Sequence, residues 1–490
     1  MDWIVRRGCG CVRALPNMPM GAASAGVAAV IVAAVTTPNP DLHPGHTLSA
    51  SDRRALLAIL LAVSLGSLDT AIANTALPAI AADLQASPAA SIWIVNSYQM
   101  AIVATLLPFA ALGDLWGPRK VFLGGLAFFT VSSLGCAMAD SLVGLTLART
   151  LQGVGASAIM SVNIALIRLI YPAHRLGRGV GLNALVVGVA FALGPTVASL
   201  VLSVASWPWL FAINVPLGVL CFCFGVVSLP RSQPRSHGFD PATAVLTAIT
   251  FSALILALGA ATQREDARWL GLALVTAAVA CALLLRRQAG HPAPMLPVDL
   301  FKRPLFALSA VTSMCSFATQ GLALVALPFY FEQVLHRDPI ETGFLMTPWA
   351  VVVAAVAPVA GRLSDRHAPG LLGGVGLALL ALGMASLALL PAQPSAIDIV
   401  WRMALCGVGF GFFQSPNLRA LMASAPPERA GGASGVIAMA RLLGQATGAA
   451  LVALCFGLAG TQQGAIWALW LGAGTATLAA MASAARLWAR

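Results

Sequence analysis

A carboxylate and a guanidinium lie where neither is ordinarily tolerated. Asp69 falls inside the apolar stretch 55–78 and Arg149 inside the apolar stretch 141–167. A carboxylate at the centre of a bilayer costs roughly 2.5–3.5 kcal/mol on insertion scales, so an acid kept at that depth points to a task, the binding of a proton or a cation. Its helical neighbours at −7, −3, +4 and +7 are Ala62, Gly66, Ala73 and Ala76. That small-residue face suits a cavity or a close helix contact. With the first stretch running outward and the fourth inward, Asp69 lies about 13 Å and Arg149 about 12 Å below the same surface, at 1.5 Å per residue. The pair has two chemical readings. A rearrangement that separates the two groups would load and release a proton, because the arginine favours the charged carboxylate and apolar burial the neutral one. A permanent ion pair would instead tie two helices together. Two further buried arginines, Arg402 and Arg441, have no intramembrane carboxylate to match them, which leaves backbone carbonyls or an anionic group as their partners.

Composition dictates the elements that must hold these groups. Hydrophobic types make up 59% of the 490 residues and charged types only 9%, against roughly 25% charged in a soluble protein. Such a chain cannot cover a water-facing surface. Apolar runs of about 20 residues, each bounded by a charged cluster, recur from residue 55 onward, the signature of membrane-spanning helices. The expected fold class is an all-α polytopic membrane protein with fourteen spans. The seventh and eighth are read at 241–261 and 269–286, and the last two at 431–457 and 463–485. Residues 1–52 read as a peripheral extension, or as sequence upstream of the true start, because Arg6, Arg7 and Arg13 would otherwise lie on the wrong side.

The net charge of +11 is an orientation signal. Loops on one side hold Arg53, Arg119, Lys120, Arg175, Arg231, Arg286, Arg362, Arg366 and others; loops on the opposite side hold only Arg264, Arg268 and Arg337. Positive residues stay cytoplasmic, so both termini are expected inside, in the cytoplasmic (inner) membrane, and nucleic acid is not an expected partner. Trp93, Trp207, Trp209, Trp269, Trp401 and Trp467 fall where even-numbered spans begin on the outer face, the interface tryptophan prefers.

The chain also repeats itself. Gly153-Val-Gly155 with Ser161 and Asn163 recurs as Gly407-Val-Gly409 with Ser415 and Asn417, at an offset of 254. Duplicated halves are how secondary transporters build a central site reachable from either side. The expected division is 53–230 and 305–490 as two six-helix bundles, with 231–304 carrying two inserted helices. No phosphate-binding GxxxxGK[ST] loop, nucleophile, metal cluster or cofactor motif occurs, so neither an ATP-driven machine nor an enzyme is expected. Between the second and third spans, Asp114, Gly117, Arg119 and Lys120 form a tight turn whose charges can pair across the cytoplasmic face. In the fifth span Gly188, Gly194 and Pro195 are expected to break helical regularity.

Together these residues resemble one group, the fourteen-span drug:proton antiporters of the major facilitator superfamily. Leu68-Asp-Thr-Ala-Ile-Ala-Asn-Thr-Ala-Leu-Pro78 is similar to that family's first-span signature, and Trp93-Ile-Val-Asn-Ser-Tyr98 to its second span. Ala110-Ala-Leu-Gly-Asp-Leu-Trp-Gly-Pro-Arg-Lys120 resembles its inner-loop motif and Arg149-Thr-Leu-Gln-Gly-Val-Gly155 its fourth-span motif. Gly194-Pro195 resembles the antiporter motif, and Trp207-Pro-Trp-Leu-Phe-Ala-Ile-Asn-Val-Pro-Leu-Gly218, Thr347-Pro-Trp349, Gly361-Arg-Leu-Ser-Asp-Arg366 and Ala440-Arg-Leu-Leu-Gly444 extend the likeness.

The resemblance implies export of amphipathic cations, of the quaternary ammonium and methyl viologen kind, driven by proton influx. It implies a monomer that needs no cofactor beyond the proton gradient. Asp69 becomes the coupling carboxylate and Arg149 its proton-relay partner. Asp114, Gly117, Arg119 and Lys120 form a conformational latch, and Gln152, Gly153, Gly188, Gly194, Pro195, Gly361, Asp365, Arg366 and Arg441 are further conformational motif residues. The first inner-loop copy has Ala110 and Leu115 where the family has a glycine and a basic residue, whereas the second keeps Gly361 and Arg366. Latching is therefore expected to lean on the second copy. Aromatic faces suit cations, so Tyr98, Phe211 and Trp349, with Asn163 and Asp69, are the candidate pocket wall. The competing expectation is a carrier of a metabolite, siderophore or organic anion on the same scaffold, with Arg402 and Arg441 reading the negative charge; a non-transporting receptor or assembly protein is a third.

Overall fold

The computed structural model describes residues 49–171, 176–231, 241–262, 267–288, 298–364, 366–424 and 430–488. All but the last four residues of the expected 1–52 extension lie outside these, as does Asp365. Regular structure among the described residues is helical throughout. The long helices are α1 (Ala50–Thr75), α2 (Trp93–Trp116), α3 (Pro118–Ala137), α4 (Leu142–Ile170), α5 (Leu176–Leu202), α6 (Asn214–Ser228), α7 (Pro241–Thr262), α8 (Ala267–Gln288), α9 (Pro304–Phe329), α10 (Pro339–Leu363), α11 (Pro369–Ala388), α12 (Ala396–Ser424) and α13 (Ala430–Ala485).

Local chemistry sets several boundaries. α1 opens on a reciprocal cap: the Ser49 hydroxyl accepts from the Asp52 amide at 3.0 Å, and the Asp52 carboxylate accepts from the Ser49 amide at 3.2 Å. Gly117, at φ 90°, separates α2 from α3, and Pro118 opens α3 with the φ that a first helical position requires.

Among the described residues, twelve helices are long and apolar enough to cross a membrane. Fourteen spans are expected from the sequence, and the difference has two sources. Residues 431–457 and 463–485 form one assigned helix, α13, bent at Gly460 (φ 72°, ψ 177°), and α7 has a shorter apolar stretch, Ala242–Leu254.

The sequence repeat reappears as repeated packing. α2 and α3 lie on α4 as α10 and α11 lie on α12. The repeated glycines are the reason the helices approach so closely. A Cβ on Gly153 would stand 2.4 Å from the Tyr98 carbonyl, and one on Gly407 2.5 Å from the Trp349 carbonyl. A Cβ on Gly155 would stand 2.5 Å from the Phe129 amide, and one on Gly409 2.4 Å from that of Leu380. Tyr98 and Trp349 are thus counterparts in the two halves. Because these obstacles are backbone atoms, Gly155→Val is expected to cost at least about 1–3 kcal/mol, read as a lowered thermal unfolding midpoint in detergent.

α5 corrects one expectation. It runs as a single helix through Gly188, Gly194 and Pro195, since one missing ladder bond leaves the flanking turns intact. Gly194 does permit close approach, with its Cβ position 2.2 Å from the Ala71 Cβ of α1, but the space around Gly188 is open.

The halves meet on both sides, and the α5–α10 contact lies on the arginine-poor one. One apolar cluster there runs from Leu77 and Ile80 after α1, through Phe211, to Phe329, Met346 and Trp349 of the second half. α5 and α10 are joined by Thr196 to Thr347 at 2.8 Å, and by the Ser199 hydroxyl donating to the Pro339 carbonyl at 3.1 Å. On the arginine-rich side a first-half cluster is continued by Met439 and Leu442 of α13, and a separate one around Leu300, Phe306 and Leu421 stays within the second half.

Candidate functional site

Asp69 in α1 and Arg149 in α4 are in contact. Nη1 of Arg149 lies 2.5 Å from Oδ2 of Asp69, and each side chain is 1% exposed. The carboxylate has two further donors. Nε2 of Gln152 donates to Oδ1 at 2.9 Å, and Nδ2 of Asn214, the first residue of α6, donates to the same oxygen at 2.7 Å. Gln152 braces the pair from one turn along α4: its Oε1 accepts from Nη1 of Arg149 at 2.6 Å while its Nε2 also donates to the Ser133 hydroxyl at 2.8 Å. The Cys136 thiol is 3.5 Å from the same Gln152 oxygen. Nε of Arg149 donates to the Ile94 carbonyl at 3.3 Å. The guanidinium lies 4.0 Å over the Tyr98 ring and 5.4 Å from that of Phe211.

Every group touching Asp69 is a donor, so the site is built around an ionised carboxylate. Three of its roughly four lone-pair positions are taken, both on Oδ1 and one on Oδ2. A proton must take the remaining position on Oδ2 or displace a donor. Either event leaves Arg149 buried without its counter-charge, and such a cation is expensive enough to force a rearrangement.

The expected pocket wall does not assemble as one group. Tyr98 and Phe211 flank Arg149. Asn163 lies fourteen residues further along α4, about 21 Å at 1.5 Å per residue, and donates to Asn183 at 2.9 Å. Trp349 belongs to the second half, where its ring is 6.4 Å from that of Phe410 and its buried indole N–H has no partner among the described residues. At the repeat offset of 254, Arg149 corresponds to Met403 and Gln152 to Cys406, so the second half repeats neither side chain at those positions.

The latch residues are also corrected in part. Asp114 is exposed and makes no ion pair among the described residues. Arg119 instead donates to the Val226 carbonyl of α6 at 2.5 Å. Carbonyls near a helix end lack helical partners, so they accept a guanidinium readily. Lys120 and Arg366 are exposed, and Gly361 borders α12, with its Cβ position 3.9 Å from the Ser415 Cβ. Arg402 does have a carboxylate: Asp398, one turn earlier in α12, at 3.1 Å. Arg441 makes no ion pair among the described residues.

Residues 59–449 match the Major Facilitator Superfamily. The chain belongs to that superfamily. Its relatives are transporters of the same kind. The uncharacterized transporter YebQ of Escherichia coli (strain K12) is 53% identical over 82% of this chain and 88% of its own. The riboflavin transporter RibZ of Clostridioides difficile (strain 630) is 29% identical over 82% and 87%. The multidrug resistance protein Stp of Mycobacterium tuberculosis (strain CDC 1551 / Oshkosh) is 30% identical over 86% and 77%. A crystal structure of a POT family transporter with a thioalcohol-conjugated peptide superposes with a TM-score of 0.70 at 13% identity, over 87% of this chain and 95% of that one, which shows the shared fold. This major facilitator is a multi-pass membrane transporter.

Sequence reasoning missed Asn214, Ser133 and Cys136 as members of the site. An asparagine inside the apolar run from Trp207 to Gly218 was a usable signal for the first. Nothing distinguishes Ser133 or Cys136 from ordinary span residues, where a hydroxyl commonly bonds its own helix. The Ser133 hydroxyl does that too, donating to the Phe129 carbonyl at 2.8 Å.

Proposed function

We propose that this major facilitator is a proton-coupled exporter of hydrophobic and quaternary ammonium cations, working by alternating access from the cytoplasmic membrane. The observation that carries the reading is the buried Asp69–Arg149 pair and the two amide donors that complete it. A group arranged for the ionised state and 1% exposed exchanges its proton only as that arrangement opens. Drug and proton then compete for the same negative charge, and the competition is the coupling. The fourteen-span layout belongs to this reading, with α7 as one span and α13 as two on either side of Gly460. So do the two six-helix bundles and cytoplasmic termini, which the distribution of arginine supports.

One observation favours a second cargo class. RibZ, a riboflavin transporter, is nearly as similar in sequence as the multidrug resistance protein Stp. The reading of Arg402 as an anion reader is weakened by its ion pair with Asp398.

Proton release from purified protein separates these readings. Ethidium is expected to release protons from the wild type and none from Asp69→Asn. Release by riboflavin with no response to ethidium would transfer the assignment to the metabolite reading. Silence to both probes, with intact folding, would end the proton-coupled reading.

A further inference from the structure

Four helix ends converge on the arginine-rich face of the second half. The start of α9, the start of α11, the end of α12 and the residues after α13 enclose a cavity of about 230 Å³, lined by Leu305, Pro369, Gly370, Arg419, Ala423 and Arg486 among others. Drug-sized pockets are roughly 300–1,000 Å³, so this one fits a smaller group. It lies in the opposite half from Asp69.

Arg486 is 6% exposed. Its Nη1 donates to the Ser309 hydroxyl at 3.1 Å and to Oδ1 of Asn417 at 2.7 Å, its Nε to the Ser483 carbonyl at 3.3 Å, and its Nη2 to the Ser483 hydroxyl. All four acceptors are uncharged, and no ion pair among the described residues includes Arg486. Burial pushes the guanidinium down to about 10. A guanidinium has five N–H donors, so one remains for another ligand. The position is a shaped slot. A Cβ on Gly373 would stand 3.0 Å from Nη2 of Arg486, and one on Gly370 2.9 Å from the Ser483 carbonyl.

Two more sources of positive potential border the same cavity. Arg419 lines it, with its Nη1 donating to the Ser364 hydroxyl at 3.3 Å. α11 begins there with no side-chain cap, presenting the positive end of a twenty-residue helix. A buried cation held only by neutral acceptors among the described residues, beside a second cation and a helix N-terminus, is a site whose chemistry fits an anion. Arginine and helix amides are the donors that suit phosphate oxygens, and Leu305, Ala423 and Leu487 add apolar wall beside them.

We propose that this cavity binds a phosphate-bearing group, with Arg486 and Arg419 as its counter-charges. The group is either the headgroup of an anionic phospholipid or a soluble phosphate. Thermal unfolding of the purified full chain in neutral detergent tests the site and separates the sources. Phosphatidylglycerol is expected to raise the midpoint by a few degrees where phosphatidylcholine does not, which identifies the lipid. A rise with inorganic phosphate over chloride at equal ionic strength, and none specific to phosphatidylglycerol, identifies the soluble source. Arg486→Gln removes one charge-assisted contact and is expected to weaken the response about tenfold. Because Arg486 also holds Ser309, Asn417 and Ser483, that variant risks misfolding. Ala423→Trp fills the cavity without touching those bonds and is expected to lose the response equally, and Arg419→Gln to weaken it. No response from any probe in the wild type, or a full response in Ala423→Trp, overturns the site.

Discussion

Asp69→Asn is expected to abolish proton-driven efflux and to lower stability, and adding Arg149→Gln is expected to restore the stability but not the transport. The asparagine places an amide donor where Arg149, Gln152 and Asn214 already point donors, and it leaves the guanidinium without a counter-charge. Removing one partner of a buried ion pair costs about 3–5 kcal/mol, whereas removing both is often close to neutral. The single variant should therefore unfold at a clearly lower temperature than the wild type, and the double variant should recover most of that loss. Ethidium efflux from vesicles with an imposed pH gradient should be absent in both. Full-rate efflux by Asp69→Asn would remove the carboxylate from the coupling step. A double variant no more stable than the single one would show that the pair does not act as a unit.

Gly343→Val is expected to hold the arginine-poor side open and to stop turnover. A Cβ at Gly343 would lie 1.7 Å from the Ser199 hydroxyl and 2.5 Å from the Pro195 carbonyl. The serine can rotate away, but the carbonyl belongs to the backbone of α5 and cannot. Overpacking of this kind costs about 1–3 kcal/mol, and each 1.4 kcal/mol shifts a two-state equilibrium about tenfold. With the native cysteines replaced, a cysteine at Thr196 should react slowly with a membrane-impermeant maleimide in the parent. It should react about 5- to 140-fold faster in Gly343→Val, with a matching loss of efflux. Gly188→Val is the control, because nothing stands within 4 Å of its Cβ position. Equal labelling in parent and variant would mean that α5 and α10 do not close the pathway.

Much of this arrangement was legible in one dimension. A rise of 1.5 Å per residue fixed the depth of Asp69 and Arg149 independently, and two groups at one depth in neighbouring spans are positioned to meet. The offset of 254 between Gly153 and Gly407 anticipated the shared packing of α4 and α12, because a glycine that admits a neighbouring backbone is required wherever that contact is repeated. The distribution of arginine identified one face of the molecule. The span count was less secure, since a helix that bends without ending, as α13 does at Gly460, has the same local composition as two helices.

The sequence by itself determined that the chain lives in a membrane, where most of its spans fall, and which acid lies too deep to be ordinary. Only the tertiary structure decided which of the polar groups at each depth face one another. It selected Asn214 and Gln152 as companions of Asp69, sent Asn163 to Asn183, gave Arg402 its Asp398, and left Arg486 among neutral acceptors. The reason is geometric: helical periodicity sets height and angle within each span, but which neighbour stands at that angle depends on how all the helices pack at once.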